Sequence, residues 1–381
     1  MTELEQQERA ALVDAVRDFA DAELAPFAAE RDAERLFPVD TLAAAGELGL
    51  GGIYVSEEYG SGLSRRDAVA IFEELARGDT AVAAYISIHN MTAWMIDTFG
   101  SDEQRARWLP GMTSMRDLGA YCLTEPGAGS DAAAITTSAR RDGDDYVISG
   151  TKQFISGAGS AAVYVVMART GEQGSGGISA IVVEKDTAGL SFGPNEHKMG
   201  WNAQPTRQVI FDEVRVPVAN RLSAEGDGFR IAMKGLNGGR VNIGACSLGG
   251  AQWALERATA YVQERHAFGA PLAANQSIVF ALADMETNLQ AARALLERAA
   301  EKMDSGASDT AVACALAKRF ATDAAFDAAN QALQLHGGYG YLHEYGIERV
   351  VRDLRVHQIL EGTNEIMRTI VGRGLLHGGK R

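Results

Sequence analysis

Between Ile278 and Met303 the apolar positions step by four and three without a break, through Leu282, Met285, Leu289, Ala292, Leu296 and Ala299. That is one apolar stripe at the helical period, which a single long helix buries against other helices. Ala251, Leu255, Ala258 and Val262 make a second stripe, and Val312, Leu316 and Phe320 open a third long helix. Stripes of this length predict a four-helix bundle over residues 226–381. Residues 1–117 are helical in pattern as well. Ser64–Asp67 and Ser101–Gln104 read as capping boxes, each placed just before an apolar run. Gly46 to Gly52 is a glycine-rich link without the spacing or the preceding strand of a dinucleotide-binding turn. Over residues 118–225 the period changes. Asp142-Gly143 is a hairpin signal between Thr136–Ala139 and Tyr146–Ile148, and Ala161–Met167 and Ile178–Val183 are apolar runs suited to strands buried on both faces. Gln208–Asp212 alternates, with Val209 and Phe211 on one face. Short strands with turns between them predict a small β-sandwich or barrel. The fold class is therefore α+β, in three segments ordered helix, strand, helix.

Composition narrows the function classes. The chain has 381 residues and a formal net charge of −14. A strongly acidic chain lacks the basic face that nucleic acid and anionic lipid require. Cys122, Cys246 and Cys314 are odd in number, far apart and outside any C-x-x-C, and read as reduced, buried small residues. No apolar run reaches the roughly 18 residues of a membrane span. The stretch from Met1 to Ala11 carries Glu3, Glu5 and Glu8, where a targeting peptide would be basic or apolar, so a cytoplasmic location is expected.

Six stretches could carry chemistry, and each has an ordinary reading beside it. Tyr121–Asp131 is a loop of glycines and hydroxyls that could admit a diphosphate, or simply a linker into the β segment. Lys152–Gly159 places Phe154 two residues before Ser156, which would suit a planar ring and its polar rim, or a core strand. Arg240, after Gly235–Gly239, is read at the start of a long helix, where a cation needs an anionic partner. Arg265, within Glu264–Gly269 and followed by Asn275-Gln276, could grip a phosphate or lie on a solvated helix end. Gln334–Tyr341 suits a helix C-cap followed by close backbone packing. His336, His343 and His357 lack zinc-site spacing. Glu361 follows two apolar residues and precedes Gly362. A carboxylate so placed can have a raised pKa and act as a base. By itself, however, it is one acid among 50.

Taken together and in this order, the stretches Tyr121–Asp131, Lys152–Gly157, Glu264–Gly269 with Asn275-Gln276, Gln334–Tyr341 and Arg355–Glu365 resemble the acyl-CoA dehydrogenases over nearly the whole chain. That resemblance implies FAD between the β segment and the bundle. It places Tyr121 to Ser130 beside the flavin, with Leu123 and Thr124 near its ring, and Phe154 and Ser156 where the family usually has tryptophan and threonine. Arg265, Phe268, Gln276, Gln334, Leu335, His336, Gly337 and Gly338 match positions at the FAD of a neighbouring subunit, which implies a homotetramer built as a dimer of dimers. Thr363, Asn364 and Glu365 match a further FAD-contacting turn. Ser130, Asn237, Arg240, Gly362 and Arg373 match acyl-CoA contacts. The catalytic base falls on Glu361. Some branches of the family place it on the first bundle helix instead, at about Gly239 here, but Leu236 to Leu248 contains no glutamate.

The activity this implies is α,β-dehydrogenation, with reduced flavin passing its electrons to an electron-transferring flavoprotein. Segments such as Ser87–Gly100, Lys198–Phe211 and Gly235–Ala251 look like the valine-catabolism branch, implying isobutyryl-CoA as substrate and methacrylyl-CoA as product. 2-Methylbutyryl-CoA and butyryl-CoA are the nearest alternatives. An oxidase of the same family would instead make hydrogen peroxide rapidly, and a non-catalytic acyl-CoA-binding protein would be colourless.

Overall fold

The computed structural model describes residues 3–377. Met1, Thr2 and residues 378–381, the outer ends of the first and third predicted segments, lie outside the described residues, as do the side chains of Glu3, Glu5 and Glu8. The first segment contains α1 (Glu3–Phe19), α2 (Ala28–Glu34), α3 (Val39–Glu47), α4 (Arg65–Gly78), α5 (Thr80–Phe99) and α6 (Asp102–Thr113). Both capping boxes form: Ser64 Oγ accepts from Asp67 N at 3.1 Å, and Gln104 Oε1 accepts from Ser101 N at 2.8 Å. α5 is buried almost all round, so it cannot face solvent and becomes a shared wall of the molecule.

The middle segment contains β1 (Gly119–Cys122), β2 (Ser138–Asp142), β3 (Asp145–Ser156), β4 (Val163–Arg169), β5 (Ile178–Glu184), β6 (Leu190–Phe192), β7 (Thr206–Pro217) and β8 (Arg221–Leu222). They form one path ordered β6-β7-β3-β2-β4-β5-β8, with β1 added beside β4. β2 meets β4 through the single pair Ser138–Arg169, so two halves join at one point and share one core. β4 and β5 are buried on both faces, as their continuous apolar runs predict. The hairpin sits one residue later than expected. Its two-residue turn is Gly143-Asp144, with Gly143 at φ +65° in the first position, where a type II′ turn needs glycine. Thr136 and Thr137 precede the strand because their backbone N–H groups are engaged by Glu125.

The last segment contains α7 (Gly228–Glu264), a small hairpin of β9 (His266–Ala267) and β10 (Ala270–Pro271), α8 (Gln276–Asp304), α9 (Thr310–His336), α10 (Ile347–His357) and α11 (Asn364–His377). Two expectations are corrected here. Arg240 does not begin a helix: α7 starts at Gly228, so Arg240 lies three turns inside it. Gly235, Gly238 and Gly239 lie within this helix, and neighbours press against each where a Cβ would stand. A Cβ at Gly235 would come 2.0 Å from Met95 Cε, and one at Gly238 would come 2.8 Å from Arg65 Nη1. The third stripe also faces another way. α9 buries Cys314, Ala317, Lys318, Ala321, Ala325 and Ala328, while Leu316 is exposed. Small residues let α9 lie close against α7, and the larger side chains are left on its flank.

Candidate active site

Two of the motifs are held together by one buried lysine. Lys152 Nζ donates to Leu123 O at 2.9 Å and to Glu125 Oε1 at 2.8 Å, and Gln153 N donates to Thr124 O at 2.8 Å. Glu125 also accepts from Thr136 N at 2.6 Å and Thr137 N at 2.9 Å. Burial alone would raise the Glu125 pKa, but Lys152 and these donors bring it down to about 2. Lys152 fixes the loop after β1 to the end of β3. There β3 carries an extra residue against β7, between Lys152 and Ile155. The bulge puts Phe154 at φ +59° and turns its ring outward, 63% exposed. A phenylalanine in the left-handed region is uncommon and strained. Bulges re-aim side chains in this way beside binding sites.

Glu361 lies in the turn between α10 and α11 and has φ +57°, followed by Gly362 at φ +93°. Consecutive carbonyls of this turn are held from two sides. Arg240 Nε on α7 donates to Glu361 O at 3.0 Å, and Lys318 Nζ on α9 donates to Gly362 O at 2.9 Å. The carboxylate packs over the bare backbone of α7, where a Cβ on Gly239 would lie 2.5 Å from Glu361 Oε2. Glu361 Oε2 is buried with no hydrogen-bond partner among the described residues. Burial raises its pKa to about 7, against the lowering effect of Arg240 and Lys318. The Tyr121 hydroxyl is also buried without a partner, and burial and the nearby Glu361 push its pKa well up. Beyond them, the Arg65 guanidinium stacks 3.5 Å over the Tyr54 ring and 5.0 Å from that of Trp94, and Asn242 Nδ2 donates to Tyr54 Oη at 3.0 Å.

The other predicted positions divide into groups. Leu123 is buried, Thr124 and Ser156 are half-buried, and Ser130 is exposed beside Gly127 and Gly129, which face open space. Asn237 Oδ1 accepts from Arg240 Nη1 at 2.8 Å, whereas Arg373 is exposed on α11. Arg265, Phe268, Gln276, Gln334, Gly337 and Gly338 are exposed at the outer end of the bundle, and Leu335 is half-buried there. Two side chains of the expected cofactor set point inward. His336 stacks on Tyr261 at 4.4 Å with Nδ1 2.7 Å from Ala332 O, and Asn364 bonds Lys318, Thr322 and Asp323. Thr363 Oγ1 accepts from Ile366 N at 3.3 Å, and Glu365 is exposed at the start of α11.

Several residues of this site were not legible as such in the sequence. Lys318 could have been found as a lone lysine in a stripe of alanines. Lys152 and Glu125 lay within the motifs but carried no structural assignment. Tyr54 and Arg65 carried no signal.

Three family models match almost end to end: the N-terminal domain of acyl-CoA dehydrogenase over residues 6–116, its middle domain over 120–214 and its C-terminal domain over 226–376. The chain belongs to the acyl-CoA dehydrogenase family. Members of this family are FAD-dependent oxidoreductases, and this chain is accordingly an FAD-dependent dehydrogenase of acyl-CoA thioesters. The open glycines, the outward Phe154 ring and the unpartnered Tyr121 hydroxyl fit a flavin. Among relatives, the chain is 55% identical to the mitochondrial isobutyryl-CoA dehydrogenase of Bos taurus over 360 residues, covering 94% of this chain and 86% of that one. It is 53% identical to the enzyme of the same name from Dictyostelium discoideum, with the same coverage. Among solved structures it resembles butyryl-CoA dehydrogenase from Megasphaera elsdenii, with a TM-score of 0.94, 38% identity and 99% coverage of both chains. No helix among the described residues is long and apolar enough to cross a membrane.

Proposed function

We propose that this chain converts isobutyryl-CoA to methacrylyl-CoA, with Glu361 as the base that removes the α-proton. The observation that carries the catalytic assignment is the buried, unpartnered Glu361 Oε2 over Gly239. An acid with a pKa raised to about 7 is ionised in a useful fraction at neutral pH and basic enough to take a proton from carbon. The substrate assignment leans on the two relatives named isobutyryl-CoA dehydrogenase. When bound, FAD supplies the hydride acceptor for the β-carbon.

The chain's own residues do the rest. Arg240 and Lys318 fix the turn, so the carboxylate meets the α-proton without first reorganising. The backbone N–H of Glu361 is a fixed donor that stabilises enolate charge as it develops on the thioester oxygen. Phe154 and Ser156 meet the flavin, with Tyr121 to Ser130 along its side and Thr363 to Glu365 at a further turn. Asn237, Arg240, Gly362 and Arg373 hold the acyl-CoA. The exposed set at Arg265, Phe268, Gln276 and Gln334 to Gly338 supports a shared FAD site, hence a homotetramer arranged as a dimer of dimers. An electron-transferring flavoprotein takes the electrons onward.

The test is anaerobic flavin bleaching. Glu361→Gln keeps the shape and the backbone N–H, so FAD and acyl-CoA still bind, but bleaching slows by about 10²–10⁴-fold or more. Bleaching at wild-type speed would show that another group takes the proton. A kcat/KM for butyryl-CoA or 2-methylbutyryl-CoA above that for isobutyryl-CoA would overturn the substrate while leaving the base in place.

A further inference from the structure

Lys318 sits on the face of α9 that packs into the protein, and its side chain is fully buried among Ala315, Ala317, Ala321 and Thr322. A buried ammonium ordinarily lies against a carboxylate. This one does not. Its Nζ donates to Gly362 O and to Asn364 Oδ1, each at 2.9 Å, and both acceptors are neutral. No carboxylate among the described residues lies within 4.0 Å of it. The anion that most favours its charged form is Glu361, ahead of Asp323 and Glu365. The attraction is mutual, since Lys318 and Arg240 are the two cations that favour ionised Glu361.

Its position explains why a lysine is there. The turn it holds carries a non-glycine residue at φ +57°, a conformation that persists only where the surroundings over-determine it. Arg240 grips one carbonyl of that turn from α7, and Lys318 grips the next from α9. Asn364 is locked in turn by Thr322 and Asp323, with Nδ2 at 3.0 Å and 2.7 Å. Gln358 Nε2 ties the start of the turn to the same Asp323 at 2.8 Å.

We propose that Lys318 is a positioning residue for proton abstraction: its ammonium fixes the Glu361–Gly362 turn and is the buried charge against which the Glu361 carboxylate stays ionised. The proposal rests on the reading of Glu361 as the base. The charged and titratable groups that face the carboxylate are Arg240 from α7, Lys318 from α9, Tyr121 from β1 and Tyr54 ahead of α4, and those that face Lys318 in addition are Asp323 from α9, Glu365 from α11 and His357 from α10, which burial keeps neutral. Cys314 on α9 has its thiol pushed up to about 12 and stays neutral. Of these, only Lys318 and Arg240 are cations that act directly on Glu361. Removing one leaves burial less opposed, so the carboxyl must hold its proton to higher pH. Because Lys318 itself is brought by burial to about 7, the two groups titrate as a pair, and the measured midpoint belongs to both.

The test uses the flavin-loaded, assembled enzyme as Lys318→Met and Lys318→Arg, with isobutyryl-CoA-driven anaerobic bleaching followed across pH. Lys318→Met should raise the pH midpoint by about one unit or more and lower the limiting rate at least about tenfold, with KM little changed. Lys318→Arg keeps a cation that does not titrate in this range, so the midpoint should not rise above that of wild type, yet rate should be lost, because the longer, planar guanidinium cannot reproduce the two contacts. A slowed Lys318→Met whose midpoint matches wild type overturns the proposal. Should Lys318→Met fail to load flavin, Lys318→Arg decides alone: a raised midpoint or a wild-type rate overturns it, and a slow enzyme whose midpoint is not raised sustains it. Glu361→Gln separates the two layers. If that variant bleaches at full speed, the underlying base assignment has failed. If it is slow while the Lys318→Met midpoint is unshifted, only the role of Lys318 has failed.

Discussion

At Glu361 the deciding fact is burial: one carboxylate oxygen is shut away with no donor to it among the described residues. Such a group is protonated below about 7 and ionised above it. A base works only when ionised, so kcat/KM for flavin reduction should climb about tenfold per pH unit below that midpoint and level off above it. A profile already flat well below neutrality would contradict the assignment. The same shift has a sign for stability. A folded pKa above the unfolded one favours the fold below the ordinary carboxylate range, and that contribution is lost as pH rises through about 7. Glu361→Gln should therefore be more stable than wild type above neutral pH, by on the order of 1–3 kcal/mol, seen in scanning calorimetry as a higher melting temperature. Phe154 makes a similar exchange in its backbone. Phe154→Gly removes a strain of about 1–2 kcal/mol and should raise the melting temperature of the flavin-free protein. It should also lose the ring proposed to meet the flavin, so bound FAD, measured by flavin absorbance, should fall.

Among the elements, the Lys152–Glu125 pair joins the loop after β1 to the bulged end of β3. Lys152→Met would strand a buried carboxylate and should cost about 3–5 kcal/mol in chemical denaturation. Glu125 is held down to about 2, so its contribution is present above the ordinary carboxylate pKa and is lost as pH falls toward 2. The advantage of wild type over the variant should therefore shrink as pH falls from the ordinary carboxylate range toward 2, and melting curves that stay equally far apart in acid would refute the role. This staple shows where the sequence was readable. The stripe on α8, the capping boxes ahead of α4 and α6, and the strands β4 and β5 follow from local period, and a local pattern is all a single chain displays. Lys152 and Glu125 are 27 residues apart and each looks like an ordinary surface charge until the sheet brings them together. α7 hid its start for a related reason. Gly235, Gly238 and Gly239 read as helix breakers, but their value lies in what approaches them, and those neighbours come from α5, α4 and the Glu361 turn. On α9 the stripe of larger residues misled, because alanines form the close-packed face.

For the molecule as a whole, the bundle end presents Phe268, 108% exposed, with Val279, Phe280, Tyr341 and Leu342 also exposed. Apolar surface of this extent is what the proposed homotetramer would cover. Phe268→Asp should therefore shift the light-scattering mass from a tetramer toward the 40.6 kDa subunit and release FAD in step. Dissociation with full flavin retention would separate assembly from the site. Gly239 and Glu361 carry a consequence on the scale of descent. A carbon at 239 would come 2.5 Å from Glu361 Oε2, so any larger residue there displaces the carboxylate from its seat on the long helix. A lineage that fills this notch must send its acid elsewhere, so the residue at 239 foretells where the acid at 361 can rest.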